Sequence, residues 1–530
     1  MASMLLRRWL PVAVLAVALL VPGVSEAVGG SSSASDRSSS AASAWAPGVF
    51  DPSSSFEAQC ANPRSGTDPA TGRAFPDRPG STLLENSWLR AWTNELYLWY
   101  SEVRDLDPGA FTTPDYFEIM KTNATTSSGA QKDKFHFTYP TAEWEQLAQS
   151  GVSAGYGVQW VILAPRPPRR TVVAYTEPSS PASAAKLARG AEVLSVDGVD
   201  LVHASDQASV DKLNEGMFPS APGASHTFSI RDRGASKART VTMVASQVIA
   251  APVQNVETLQ VPGGSVGYML FNDHLATAEK ALISAFGKLA SARVDDLVLD
   301  LRYNGGGYLD IASEVAYMIA GPAPTTGRTF EKETFNDKYP TTDPVNGTPL
   351  TPTPFHTTSQ GFSGPAGVAL PTLNLPRVFV LTSPNTCSAS EAVINGLRGV
   401  GVDVIQIGTT TCGKPYGFFP RDNCGTTYFS IQIEGVNALG FGDYSDGFSP
   451  ANTTSKRGVA LPGCSVADDF THSLGNASEH RLAAALAYRI EGTCPPASAS
   501  ATAETGSVDD SAVDGIAPKS PWHQNRALRH

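Results

Sequence analysis

Three residue groups in this chain could together carry acyl transfer: Ser388, Lys414 and the glycines of Asp300-Leu301-Arg302-Tyr303-Asn304-Gly305-Gly306-Gly307. A serine hydroxyl is a weak nucleophile until a base takes its proton. A lysine can be that base only when neutral, which requires desolvation to pull its pKa down from about 10.4. Ser388 stands in Thr386-Cys387-Ser388-Ala389-Ser390-Glu391, just before a stretch of helical character from Ser390 to Leu397. At a helix start the N–H groups are unpaired and the dipole favours an oxyanion. Glu391, three residues after Ser388, also has the spacing of a capping box, a structural role compatible with a catalytic one. Consecutive glycines after a strand turn the backbone sharply, and their N–H groups can face a developing negative oxygen.

Lys414 closes Gly408-Thr409-Thr410-Thr411-Cys412-Gly413-Lys414-Pro415, which follows a phosphate-binding loop pattern up to its last position. That loop needs a Ser or Thr hydroxyl for magnesium and a helix N–H after the lysine. Pro415 has neither, so nucleotide binding is excluded. What remains is a lysine on a loop after a buried strand, 26 positions beyond Ser388 and available to it as a general base once desolvated.

All three segments follow short apolar runs: Leu297–Leu301, Val378–Leu381 and Val404–Ile407. Such runs belong to a sheet covered on both faces. With a strand at Tyr268–Phe271 and a helix marked by Ala278, Leu282, Ala285, Phe286 and Leu289, they predict an α/β core over 249–495. Ahead of it, strands are expected at Val158–Leu163, Thr171–Tyr175, Glu192–Val196, Thr227–Arg231 and Thr240–Val244, making a β-rich domain over 151–248. Residues 60–150 carry Trp88, Trp92, Leu96, Trp99 and Tyr100 at helical spacing, as in a small helical domain. The overall class is therefore α/β and multidomain. Residues 496–530, rich in Ala, Ser, Asp and Pro, are expected to be a disordered tail.

Arg7 and Arg8, an apolar run from Trp9 to Val21 and small residues around Ala27 read as a secretory signal over 1–27. A flexible Ser/Ala-rich leader over 28–59 follows. The expected protein is exported, periplasmic or extracellular, with no stable membrane insertion. Six cysteines suit that compartment, with Cys412–Cys424 the expected pair across a hairpin and Cys387 readable as a buried thiol. A net charge of −11 without clustered Lys and Arg excludes nucleic acid as a partner. No HExxH or CxxC is present, so no metal and no cofactor is expected.

The ordered segments DLRYNGGG, TCSASE and TCGKP resemble those of the C-terminal processing (tail-specific) serine peptidases. The resemblance covers roughly 85–490 and implies Ser388 as nucleophile, Lys414 as base, and Gly306 with the Ala389 N–H as oxyanion hole. It further implies a crotonase-like core. Many relatives have a glutamine four residues after the lysine to orient it. Here Phe418 stands there, and Glu391 is the candidate for that role. The stretch Gly155-Tyr156-Gly157-Val158 resembles the carboxylate-binding loop of PDZ domains, and implies docking of polypeptide substrates by free C-termini. The long Pro/Thr-rich loop from Ile319 to Pro376 is expected to shape the groove. Two other readings stay open: a non-catalytic peptide-binding protein on the same fold, and a serine hydrolase that uses His274 as base. Oligomeric state is not legible.

Overall fold

The computed structural model describes residues 45–69, 71–219, 221–454, 457–496, 514–518 and 526–527. The signal sequence expected over 1–27 lies outside them. No described helix is long and apolar enough to cross a membrane.

A six-stranded sheet organises the core, in the order Val253–Val261, Gly264–Phe271, Asp296–Asp300, Arg377–Thr382, Asp403–Gly408, Gly463–Ser465. The first pair is antiparallel and the others are parallel. Strand residues alternate between two apolar layers, as a period of two requires. Met269, Leu297, Leu299, Val378 and Val380 face the helices Ala278–Ala292, Leu309–Ala320 and Ala389–Gly399. Tyr268, Leu270, Val298, Phe379 and Ile407 face the helix His480–Glu491 and residues Val161, Val172 and Tyr175 of the β-rich region. Burial on both faces is why these strands read as unbroken apolar runs.

The β-rich region holds the strands Val158–Ala164, Arg170–Thr176, Glu192–Val196, Ser225–Arg231 and Arg239–Val244. In the sheet, Arg239–Val244 lies at one edge and Val158–Ala164 at the other. Each lies within two residues of its sequence-based position. The helix Gln207–Met217 contributes Leu213 and Met217 to this region's own apolar cluster.

The helical region contains Thr82–Leu96, Thr113–Ile119 and Thr141–Ser150. Trp88 and Trp92 stack with ring centres 5.2 Å apart, and Tyr428 of the core packs 5.4 Å from Trp88. The long loop is anchored from beneath: Glu279 accepts the N–H groups of Gln360, Gly361 and Ser363 at 2.6, 2.8 and 2.9 Å. Glu314 shares the Gln360 N–H at 3.0 Å. Burial, and then the neighbouring Glu279 carboxylate, push the Glu314 carboxyl up to about 9.

Three expectations need correction. The pairs are Cys60–Cys424, Cys387–Cys412 and Cys464–Cys494, so neither Cys412–Cys424 nor a free Cys387 holds. A hairpin does form, from Arg421–Asn423 and Thr426–Phe429, but Cys412 lies well before it and Cys424 sits in its turn, against Cys60. The leader does not extend to residue 59, because Gly48 and Ser53 donate to Asp105 and Glu95 and Ala58 is buried. The tail is not unstructured throughout, since Asp514 and Ala517 are buried.

Candidate active site

The glycine, serine and lysine segments all leave the sheet at the carboxyl ends of adjacent parallel strands, the edge at which open α/β sheets bind ligands. Hydrogen bonds knit them together. Asn304 O accepts the Cys387 N–H at 3.1 Å and the Ser390 hydroxyl at 3.0 Å. Thr386 O accepts the Cys412 N–H at 3.0 Å, which sets Cys412 beside Cys387 for their disulfide.

Ser388 precedes the helix Ala389–Gly399 and is fully buried, as is Ala389. Its φ of 60° and ψ of −114° form a turn that L-residues rarely adopt, a strain of order 1–3 kcal/mol that surrounding contacts must hold. The Ser388 N–H donates to Glu391 Oε2 at 2.9 Å, but Ser388 Oγ has no hydrogen-bond partner. The capping box predicted from spacing is in place, with the Ser388 side chain facing the Glu391 backbone N–H without closing a hydrogen bond to it.

Glu391 is the hub. Its Oε2 accepts the N–H of Ser388 at 2.9 Å and that of Lys414 at 2.8 Å. Its Oε1 accepts the Gly413 N–H at 2.8 Å and the Thr411 hydroxyl at 2.5 Å. Burial pushes this carboxyl up, while the four donors oppose that by favouring the ionised form. One oxygen atom therefore fixes the backbones of Ser388 and Lys414 together.

Lys414 is fully buried. Its Nζ lies 4.4 Å from the ring centre of Phe418 and 4.8 Å from that of Phe135. The phenylalanine at the glutamine position thus forms a wall of the lysine's apolar pocket rather than a hydrogen-bonding partner. Sequence reasoning missed Phe135 and Lys134, both from the helical region. Lys134 Nζ donates to Cys412 O at 2.8 Å. No local signal marked them, because their approach depends on how that region packs on the core.

Gly306 has φ 108° and donates its N–H to Asn304 Oδ1 at 3.0 Å. Gly307 has φ 135°, and a Cβ there would meet His274 O at 2.4 Å, so glycine is required. His274 Nδ1 is 3.0 Å from Asn304 Oδ1. Asn304 Nδ2 donates to Phe271 O, so Oδ1 accepts and His274 Nδ1 carries the proton. Burial pushes the His274 pKa down to about 4, and its Nε2 has no partner.

At the second predicted site, Gly155, Tyr156, Gly157 and Val158 line a cavity of about 360 Å³ together with Met217 and Pro518. The Tyr156 hydroxyl donates to Gly216 O at 3.1 Å. A Cβ on Gly157 would meet Ser180 Cβ at 2.3 Å.

A buried serine on a strained turn, an enclosed lysine and a glycine loop thus meet at one sheet edge, the residue types that acyl transfer draws on. Residues 265–425 match the model of peptidase family S41. The chain is 24% identical over 237 residues to the carboxyl-terminal-processing protease of Picosynechococcus sp., covering 45% of this chain and 49% of that one. It is 27% identical over 171 residues to the carboxyl-terminal-processing protease of Synechocystis sp., covering 32% and 38%. The matches thus span half the length of these curated relatives or less. The crystal structure of a Bacteroides fragilis protein assigned to the S41 proteases aligns with a TM-score of 0.57 at 22% identity, over 77% of this chain and 97% of that one. That likeness is one of fold. The resemblance read from the ordered motifs therefore stands.

Proposed function

We propose that this chain is an exported serine endopeptidase in which Ser388 is the nucleophile and Lys414 the general base. The observation that carries the reading is the bifurcated hold of Glu391 Oε2 on the Ser388 and Lys414 amides, reinforced by the Cys387–Cys412 disulfide. Neutral Lys414 takes the hydroxyl proton as Ser388 Oγ attacks the peptide carbonyl. The oxyanion is received by the N–H groups of Gly306 and Ala389, Gly306 exchanging Asn304 Oδ1 for it. Protonated Lys414 then gives its proton to the leaving amine, and a water, deprotonated in turn, releases the acyl group.

The β-rich region is read as a PDZ-like module and the core as crotonase-like, with the Gly155–Val158 loop receiving substrate C-termini. Three disulfides support an oxidising compartment. A serine-acylating β-lactone followed by peptide mass mapping tests the chemistry. Label on Ser388 is expected; a chain that binds peptides but takes no label and turns nothing over is the non-catalytic binder. The His274 alternative is tested by Lys414→Ala, which keeps full activity only if the imidazole is the base.

A further inference from the structure

A lysine that takes a proton from a serine becomes an ammonium, and inside a protein that new charge is costly unless something receives it. Lys414 is fully buried, so bulk water is not at hand. Two aromatic rings flank its amine. Nζ lies 4.4 Å from the ring centre of Phe418 and 4.8 Å from that of Phe135. An aromatic face is electronegative and attracts an ammonium within about 6 Å of its centre. Its pull is far weaker than that of a buried carboxylate. Such a face eases the arrival of charge without holding the proton permanently, and it leaves the lone pair of the neutral amine to the serine hydroxyl.

The two rings reach the amine by different routes. Phe418 comes from the lysine's own segment and packs against Phe429 and Phe137, with ring centres 5.1 and 6.1 Å away. Phe135 comes from the helical region. The buried Asp133 carboxylate sets its backbone: Oδ1 accepts the Phe135 N–H at 2.9 Å and Oδ2 accepts the Tyr97 hydroxyl at 2.6 Å. The helical region meets the lysine's segment at three alternate residues. Lys134 Nζ donates to Cys412 O at 2.8 Å, Phe135 faces Lys414, and Trp99 packs edge-on against Tyr416 with ring centres 4.8 Å apart. Lys134 Nζ itself lies 5.4 Å from the Phe135 ring centre.

We infer that Phe135 and Phe418 form a two-ring seat for the positive charge that Lys414 acquires in catalysis, so that the helical region completes the active site. In the step concerned the Ser388 O–H bond breaks as Oγ bonds to the substrate carbonyl carbon. The proton passes to Lys414 Nζ, which stays an ammonium beside the rings until it gives the proton to the leaving amine. Phe135 acts through Lys414 and is a positioning residue. The inference rests on the proposed Ser388–Lys414 reading, and adds what steadies the base once it is charged.

The test keeps the shape of Phe135 and changes only the charge distribution of its ring. Singly, doubly and triply ring-fluorinated phenylalanines are placed at this position of the full chain by nonsense suppression. Fluorine draws electron density from the ring face, so kcat for reduced and alkylated casein should fall stepwise, by about tenfold at the most fluorinated ring, with KM and melting temperature unchanged. Phe135→Leu, which fills a similar volume without a ring, should lose about tenfold or more, while Phe135→Tyr should keep kcat within about twofold. In a Ser388→Ala chain, the affinity for fluorescein-labelled casein, read by anisotropy, should be the same with and without Phe135→Leu. A flat fluorine series overturns the inference, as does a Phe135→Leu chain with full kcat or with weakened casein binding. Full activity in Lys414→Ala would bring down the dyad reading and the seat with it. A flat series in a chain that Lys414→Ala does inactivate removes the seat alone.

Discussion

Two buried polar regions sit on opposite sides of the same strand ends, and they are built on opposite rules. Around Arg302 the charges are paired. Its guanidinium donates to Asp300 Oδ1 at 2.9 Å, to Asp468 Oδ1 at 2.5 Å and to both oxygens of Glu479 at 2.8 and 2.9 Å. Arg189, from the β-rich region, adds bonds to Tyr303 and Asp468 at 2.7 and 2.6 Å. Burial disfavours an ionised Asp468, yet Arg189, Arg302 and Arg481 together hold its carboxyl far below the ordinary range. Around Ser388 polar atoms are left over: Ser388 Oγ and His274 Nε2 are buried without partners, and the Ser388 backbone is strained. Unsatisfied buried groups cost stability, so a fold retains them where something else is to bind. The first region ties the β-rich region to the core; the second leaves hydrogen-bonding capacity open, as the proposed reading requires.

The widest contrast comes from removing one group on each side. Ser388→Ala and Lys414→Ala should each lower hydrolysis of denatured casein by roughly 10⁴-fold or more, with melting temperature unchanged. Arg302→Met should do the opposite, leaving Asp468 and Glu479 buried with less counter-charge. We expect a loss of about 3–5 kcal/mol in urea unfolding, with activity falling only as the folded fraction falls.

Glu391→Gln lies between the two. It keeps the shape but places an amide N–H against backbone donors, so kcat should drop by about 10–100-fold while KM moves little, as initial-rate kinetics will show. Should KM rise and kcat stay, Glu391 serves binding rather than alignment of the dyad.

The smallest effect concerns Glu314, whose carboxyl keeps its proton in the fold up to about 9. An unfolded carboxyl loses its proton above about 4.3. The folded form therefore binds the proton more tightly, and stability is fully present below that value and is lost as pH climbs toward 9. Glu314→Gln removes this dependence. It should stabilise by about 1–3 kcal/mol at pH 8 and by almost nothing at pH 4, read from urea unfolding at both.

The parts of this molecule legible in the sequence are those set by local pattern. Buried parallel strands need apolar residues on both faces, which is why Asp296–Asp300, Arg377–Thr382 and Asp403–Gly408 stand out as short apolar runs. Ser388, Lys414 and the glycines were visible because each follows such a run. Pairings that reach across the chain left no such trace. Cys412 meets Cys387 through a hydrogen bond between two loops, and Phe135 reaches Lys414 from another region. Asp514 is ordered by Arg481 and Thr409, neither of which is apolar, so a composition rich in Ala, Ser and Asp concealed its burial.

The Cys387–Cys412 bond has a consequence for how rigidly the site is held. It ties the turn bearing Ser388 to the loop bearing Lys414, so oxidation adds a covalent hold to the Glu391 hydrogen bonds that already join them. In thiol-reducing surroundings the alignment would depend on the hydrogen bonds of a single carboxylate. Losing that covalent tie should therefore loosen the spacing between the two loops while leaving the strands that carry them in place.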